Sequence, residues 1–100
     1  MSFKTVIVNP DLEDILPDFI RNTINEYDVM LKAYESQDFG AMGRVCHKLL
    51  GSVLSFGFEE LDQFLRTLQD NIRVGDEVQI ELSFLQLQKY IEYIEKTYEH

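Results

Sequence analysis

The sequence is poor in cysteine, in basic residues and in long apolar runs, and each shortage argues against a class of protein. Cys46 is the single cysteine, so an internal disulfide is impossible. Lysine and arginine together number 9 against 18 aspartates and glutamates, which gives a formal net charge of −9. Because nucleic acids and anionic membrane surfaces are bound through basic residues, neither is expected as a partner.

Signals for membranes and for export are also missing. No apolar run approaches the ~20 residues that a membrane-spanning helix needs. Residues 1–10 lack the basic start and the long apolar stretch of a signal peptide. We therefore expect a cytoplasmic protein.

The length sets a further limit on what the chain can do. Its 100 residues, of which 45% are hydrophobic, suffice for one domain over residues 1–100 with a single core. A separate nucleotide-binding domain does not fit, so we do not expect a kinase. Cys46, His47 and His100 lack the spacing of metal ligands, so no metal or cofactor is expected. We expect a monomer.

Apolar residues recur every three or four positions along most of the chain, which predicts an all-α protein. Residues 1–9 are the exception: Phe3–Val8 is typical of an extended segment, and we expect an arm that packs on the helices. Asn9 and Pro10 begin the helical part, residues 10–99, because asparagine caps helices and proline favours the first helical position. Pro17 then interrupts or kinks the chain. The predicted helices lie at 10–15, 17–36, 41–56 and 58–73 and, after a turn at 74–76, up to about Tyr98.

Short connections between long amphipathic helices favour antiparallel neighbours, so we predict an antiparallel four-helix bundle. The core face of the 41–56 helix comprises Met42, Val45, Cys46, Leu49, Val53 and Phe56. In the last helix, the apolar residues expected to face inward or nearly so are Ile80, Leu82, Leu85, Leu87, Tyr90, Ile91 and Ile94.

The outer face of the 41–56 helix carries an unusual set of residues. His47 lies nearly opposite the core face, between Gly43 and Gly51. A glycine inside a helix costs up to about 1 kcal/mol relative to alanine, so two of them beside one histidine indicate something other than stability. Leu50 and Leu54 lie toward the same side.

Charge distinguishes the same segment. Residues 39–58 contain no aspartate or glutamate, although the chain has 18 of them. They carry Arg44 and Lys48, so an anionic group or an acidic partner would be stabilised there. Each feature also has an ordinary explanation: a surface histidine is often only solvated, and a helical glycine often permits close packing. Their convergence on one face favours a functional surface.

The segment Cys46–Phe58 resembles the signature of histidine-containing phosphotransfer domains, which reads roughly His-x-Leu-Lys-Gly-Ser-x-x-x-x-Gly. Along this signature His47 matches the phosphorylated histidine. The other matching positions are Leu49, Gly51, Ser52 and Gly57, with Leu61 in the next helix. Gln69 matches a glutamine that in some members hydrogen-bonds the active imidazole.

The resemblance implies a function, a partner and a set of roles. His47 would accept a phosphoryl group and exchange it with an aspartate on a response-regulator receiver domain or a hybrid sensor kinase, and the receiver would bring Mg²⁺. Leu50 stands where the family usually has lysine, so Arg44, and after it Lys48, is expected to neutralise the phosphoryl charge. The residues expected to form the docking surface are Gly43, Leu50, Gly51 and Leu54.

Two alternatives stay open at this point. Leu50 is compatible with an adaptor that binds receivers without transferring phosphate. The chain is also compatible with a helical oligomerisation module in which Phe3–Val8 mediates pairing.

Overall fold

A computed structural model describes residues 3–98, and within this range the secondary structure is entirely helical, without a β-strand. Two short 3₁₀ segments, Pro10–Ile15 and Val53–Phe56, accompany four α-helices. The α-helices are α1 (Leu16–Glu35), α2 (Phe39–Leu50), α3 (Glu59–Val74) and α4 (Glu77–Tyr98). The end of the predicted helical part, with His100, lies outside the described residues. None of the helices in this range is long and apolar enough to cross a bilayer.

Local capping explains where the first helices begin. The Asn9 side chain accepts a hydrogen bond from the Asp11 N–H at 2.9 Å, and Pro10 follows at the start of the first 3₁₀ segment. Pro17 lies in the first turn of α1, where its missing N–H costs no hydrogen bond. The carboxylate of Asp38 accepts from the Ala41 N–H at 3.0 Å, so α2 begins at Phe39, earlier than predicted.

The predicted helix over 41–56 is wrong at its C-terminal end. The α-helix stops at Leu50, Gly51 and Ser52 form a turn, and Val53–Phe56 is a 3₁₀ segment. The Ser52 N–H and hydroxyl both donate to the Leu49 carbonyl, at 3.0 and 3.3 Å, which turns the chain out of the α-helix. A 3₁₀ turn keeps residues three apart on one side, so Val53 and Phe56 stay in the core and the apolar pattern conceals the break.

The core lies between the four helices, with α1 against α2 and α4, and α3 against α2 and α4. Every residue predicted for the inner face of the 41–56 segment is buried. In the last helix the prediction for two residues is wrong: Leu82 and Leu85 are 50% and 44% exposed. The buried positions of α4 follow Ile80 in steps of three and four, and at ~100° per residue Leu82 and Leu85 fall on the opposite side.

The arm, residues 3–9, lies against α3 and α4. The Lys4 N–H donates to a carboxylate oxygen of Glu60 at 2.7 Å, and the Val6 N–H donates to the Tyr98 hydroxyl at 3.0 Å. The Phe3 ring lies 5.0 Å from that of Tyr90 and 5.1 Å from that of Tyr93, measured between centroids. The arm therefore contacts the beginning of α3 and the second half of α4.

Candidate functional site

His47 lies in the last turn of α2, on the face opposite the core. The His47 side chain is exposed, whereas Cys46 before it and Leu49 after it are buried, at 0% and 2% exposure. The buried neighbours fix the helix against the core, so the direction of the imidazole is set by packing. His47 is thus presented to solvent from a rigid element.

A shallow groove of about 380 Å³ separates α2 from α3 beside this histidine. Its walls are formed by Gly40, Gly43, Arg44, His47, Gln69, Ile72 and Arg73. The structure therefore brings together His47, Gly43, Arg44 and Gln69, which the sequence had singled out. The remaining candidates, Lys48, Leu50, Gly51 and Leu54, are not part of this groove.

The two candidate glycines differ in their surroundings. Gly43 is half-buried inside α2, and a Cβ built on it would lie 3.7 Å from a methyl carbon of Ile72, which is ordinary contact. Gly51 is the C-cap of α2, with φ −70°, and a Cβ there would meet only the Lys48 carbonyl oxygen at 3.5 Å. The expected helix-interior penalty therefore applies to Gly43 and not to Gly51, because the helix ends before it.

The two candidate bases lie on different sides of α2. The Arg44 guanidinium lines the groove, close to the backbone of Gly40. The Lys48 ammonium instead forms an ion pair with Glu26 of α1, with 3.0 Å between nitrogen and carboxylate oxygen. The Glu26 side chain is only 15% exposed, so this contact directs Lys48 away from the groove.

The remaining predicted residues also have clear positions. Gln69 is half-buried in the groove wall, and within residues 3–98 no hydrogen bond joins it to His47. Leu50 is half-buried and packs against the core, and Leu54, on the second 3₁₀ segment, is 50% exposed. Leu50 thus contributes less exposed apolar surface than its position on the helical wheel suggests.

Arg73 is a residue of the groove that the sequence analysis missed. It lies one helical turn after Gln69 on α3, so the i, i+4 spacing places both side chains on one face. The i, i+4 spacing of Gln69 and Arg73 is visible in the sequence, but it identifies Arg73 as a groove residue only when α3 is known to pack against α2. An exposed imidazole that shares a groove with two arginines and with no carboxylate can bind or carry an anionic group.

Cys46 is excluded from this chemistry although it precedes His47. Burial raises the pKa of its thiol to about 12, and its side chain is fully enclosed in the core. The reactive form of a cysteine is the thiolate, so this side chain acts as a small apolar residue. Within residues 3–98 no cluster of histidine, cysteine and carboxylate side chains forms a metal site.

Comparison with known families gives one result. The model of the Hpt domain matches residues 14–97, a range that includes α1 to α3, all of α4 except its last residue, and every residue of the groove. No curated protein and no solved structure showed significant similarity to the chain.

Proposed function

The chain belongs to the Hpt domain family, and on this premise we propose that it carries a phosphoryl group on His47 and exchanges it with an aspartate of a receiver domain. Members of the family act in histidine phosphotransfer within two-component phosphorelays and are phosphotransfer modules, not kinases. Beyond family membership, we propose two specific points: His47 is the phosphoryl acceptor, and a receiver domain is the partner.

The observation that carries the proposal is the exposed imidazole of His47 beside a groove lined by Arg44, Arg73 and Gln69. Phosphoryl transfer depends mainly on positioning and on stabilisation of charge, because the protein has little covalent chemistry to do. A nucleophilic ring nitrogen on a rigid helix, with cations nearby and no carboxylate in the groove, meets both needs.

The transfer consists of one bond exchange. A neutral ring nitrogen of His47 attacks the phosphorus of an aspartyl phosphate on the receiver, and an N–P bond forms as the bond from phosphorus to the carboxylate oxygen breaks. The aspartate leaves as a free carboxylate, and the reverse reaction returns the phosphoryl group. Mg²⁺ is expected on the receiver and not on this chain.

Each residue near His47 receives a role in this proposal. Arg44 neutralises phosphoryl charge, whereas Lys48 is less suited because it pairs with Glu26. Gln69 lines the same groove without a hydrogen bond to His47 in the described part of the chain, and its proposed role is to orient the imidazole when the receiver docks. The receiver docks over the open side of α2 and the segment that follows. The proposed docking residues are Gly43, Leu50, Gly51 and Leu54.

We also infer that the four helices form the antiparallel bundle expected from sequence. Short connections at 36–38 and 75–76, and the contacts of α1 with α2 and α4 and of α3 with α2 and α4, support this arrangement. One domain over residues 1–100, a monomeric state and a cytoplasmic location stay predictions.

The test is phosphorylation by a phosphorylated receiver domain. We expect the wild type to acquire an acid-labile, alkali-stable phosphate, which is the behaviour of phosphohistidine. His47→Gln should acquire none. Because the side chain is exposed, this variant should keep the helicity of the wild type, and its free energy of unfolding should change by less than about 0.5 kcal/mol. Equal labelling of the variant and the wild type would show that His47 is not the acceptor.

A second candidate function is a receiver-binding adaptor without transfer, and Leu50 in place of the family's lysine favours it. An adaptor would bind the receiver as tightly as a transfer protein but would stay unlabelled under the same conditions. Binding measured by calorimetry beside the labelling assay distinguishes the two functions.

A further inference from the structure

We propose that the outer face of α4 is a docking surface for an amphipathic helix of a partner protein, one that carries basic residues along one edge of its apolar face. The surface is an exposed apolar stripe formed by Val78, Leu82 and Leu85. These residues follow one another in steps of four and three, so they lie on one side of the helix. The inference does not depend on phosphoryl transfer, because the stripe lies on a different face of the molecule from His47.

Apolar exposure is concentrated in this part of the chain. Val78, Leu82 and Leu85 are 65%, 50% and 44% exposed, and Val74, just before the turn into α4, is 80% exposed. Within residues 3–98 these are four of the eight large apolar residues that are exposed. Single apolar residues on a surface are ordinary, whereas a run of them along one helix face indicates a place where another molecule binds.

A groove of about 340 Å³ between α3 and α4 adjoins the stripe and gives the surface a preformed shape. Leu82 and Leu85 form its apolar part. The Asn71 side-chain amide donates to the Gln79 carbonyl at 3.2 Å and to the Ser83 hydroxyl at 3.1 Å, and these bonds fix α3 to α4. Because the walls of the groove are already ordered, a partner does not have to order them when it binds, which lowers the cost of association.

The two edges of the stripe differ in charge, and this difference defines the partner. Toward α1, Glu77 and Glu81 share a hollow with Glu35. Among the residues that the structure describes, no basic side chain lines this hollow, and no carboxylate lines the groove on the α3 side, where Lys89 lies. A helix that lies along α4 is therefore complementary when its edge toward α1 carries lysine or arginine. Helices of this kind bind through apolar residues at positions i, i+3 or i+4, and i+7.

Charge and position disfavour other occupants. A second copy of the chain would bring a further net charge of −9 to the surface, and an anionic membrane would be repelled for the same reason. The groove beside His47 lies between α2 and α3, whereas the stripe faces outward on α4, which packs against α1 and α3. A partner helix on the stripe and a receiver domain at His47 can therefore be bound at the same time.

The experiment uses a synthetic helical peptide of about 18 residues, or about five turns, with leucines at i, i+4 and i+7 and arginines along one edge. Its binding to the full chain is measured by fluorescence anisotropy. Amide shifts in ¹H–¹⁵N spectra locate the peptide, and we expect them to change over residues 77–89 and to stay constant at Gly43 and His47. A scrambled peptide of the same composition should bind at least about tenfold more weakly, because it has no apolar face.

Variants of the protein test the two parts of the surface separately. Leu82→Gln and Leu85→Gln should each weaken binding of the amphipathic peptide by about fivefold to tenfold. Glu81→Gln should weaken it by about threefold, because it removes one charge of the acidic edge. Val29→Gln is the matched control and should leave binding unchanged: Val29 is 51% exposed, as Leu82 is 50%, but it lies on α1 outside the stripe. All four variants should melt within a few degrees of the wild type.

Equal binding of the scrambled and the amphipathic peptide would overturn the inference, and so would equal affinities of Leu82→Gln and Val29→Gln. A dimer of the wild type that forms with rising concentration and is lost in Leu82→Gln, measured by sedimentation, would also overturn it, since the occupant would then be a second copy. Displacement of the peptide by a receiver domain would show that the receiver itself uses the stripe. None of these measurements involves labelling of His47, so a failure of the proposed function leaves them valid.

Discussion

Gly51 and Gly57 lie close together in sequence, yet the backbone gives them opposite tolerance for a side chain. Gly51 has φ −70°, which any residue adopts, and a Cβ there meets only a carbonyl oxygen at 3.5 Å. Gly57 has φ +84°, and a Cβ there would lie 3.3 Å from the Ile7 carbonyl oxygen. The matched pair therefore separates a position where the fold tolerates a side chain from one where it requires glycine.

We predict that Gly51→Ala stabilises the protein and Gly57→Ala destabilises it. The first change reduces the entropy of the unfolded chain and should add about 0.4–1 kcal/mol to the free energy of unfolding. The second forces alanine into the left-handed region and should remove about 1–2 kcal/mol. Urea unfolding followed by circular dichroism measures both.

A larger side chain at the first position tests its proposed role in docking. Gly51→Gln should keep the fold, because the space around the C-cap is open, but should slow transfer from the receiver by covering the approach to His47. Normal transfer by this variant would remove Gly51 from the docking surface. Strong destabilisation by Gly51→Ala would instead indicate a packing role.

Cys46 offers a test of core integrity next to the site. Because burial raises the pKa of its thiol to about 12, the thiolate is nearly absent at neutral pH in the folded protein. We predict that a thiol reagent such as dithionitrobenzoate reacts at pH 7–8 only after unfolding in denaturant. Fast reaction of the native protein would mean that the helix carrying His47 opens readily.

At the scale of elements, the arm has its own packing that can be tested. The Phe3 ring contacts the rings of Tyr90 and Tyr93 at the distances given above, and that of Phe64 at 6.1 Å. Such aromatic pairs contribute ~0.5–1.5 kcal/mol each beyond their buried area, so the loss of three of them in Phe3→Ala should cost about 1.5–4.5 kcal/mol of unfolding free energy. Ile7→Ala is the control, because Ile7 is 91% exposed and should change stability by less than about 0.5 kcal/mol. Equal effects of the two changes would show that the arm does not pack through Phe3.

The limits of sequence interpretation are clearest in α2 and α4. The inner face of α2 was predictable, because steps of three and four place Met42, Val45 and Leu49 on one side. The end of α2 was not, because a 3₁₀ turn preserves the spacing between Val53 and Phe56. In α4 the apolar residues occur on more than one side of the helix, so the sequence pattern alone placed Leu82 and Leu85 in the core although both are exposed.

At the scale of the whole molecule, the site depends on how helices are placed relative to one another. Sequence spacing identified His47, Arg44 and Gly43 because they share one helix, and the resemblance supplied Gln69. The separation of Lys48 from the groove required the position of Glu26 on α1, and the inclusion of Arg73 required the packing of α3 against α2. Local pattern therefore predicts the residues of one helix face, and tertiary packing determines which charges share the site.

The excess of negative charge is also a property of the whole molecule. The chain carries 18 acidic against 9 basic residues, so the folded state concentrates like charges that the unfolded chain holds farther apart. Salt screens this repulsion, because the screening length falls from about 30 Å at 0.01 M to about 10 Å at 0.1 M. Salt also weakens ion pairs, but two of the four within residues 3–98, Arg21–Asp18 and Arg73–Asp70, are exposed on both sides and contribute little.

We therefore predict that the melting temperature rises by about 3–6 °C between 10 and 300 mM NaCl, which corresponds to roughly 1 kcal/mol for a domain of this size. Glu95→Lys provides the matched variant: Glu95 is exposed in the last turn of α4, where a cation is favoured by the helix dipole, and the change moves the net charge from −9 to −7. It should raise the melting temperature at 10 mM NaCl, and the gain should shrink at 300 mM. Circular dichroism melts of both proteins at the two salt concentrations provide the measurement. A melting temperature that falls with added salt would mean that specific ion pairs outweigh the general repulsion.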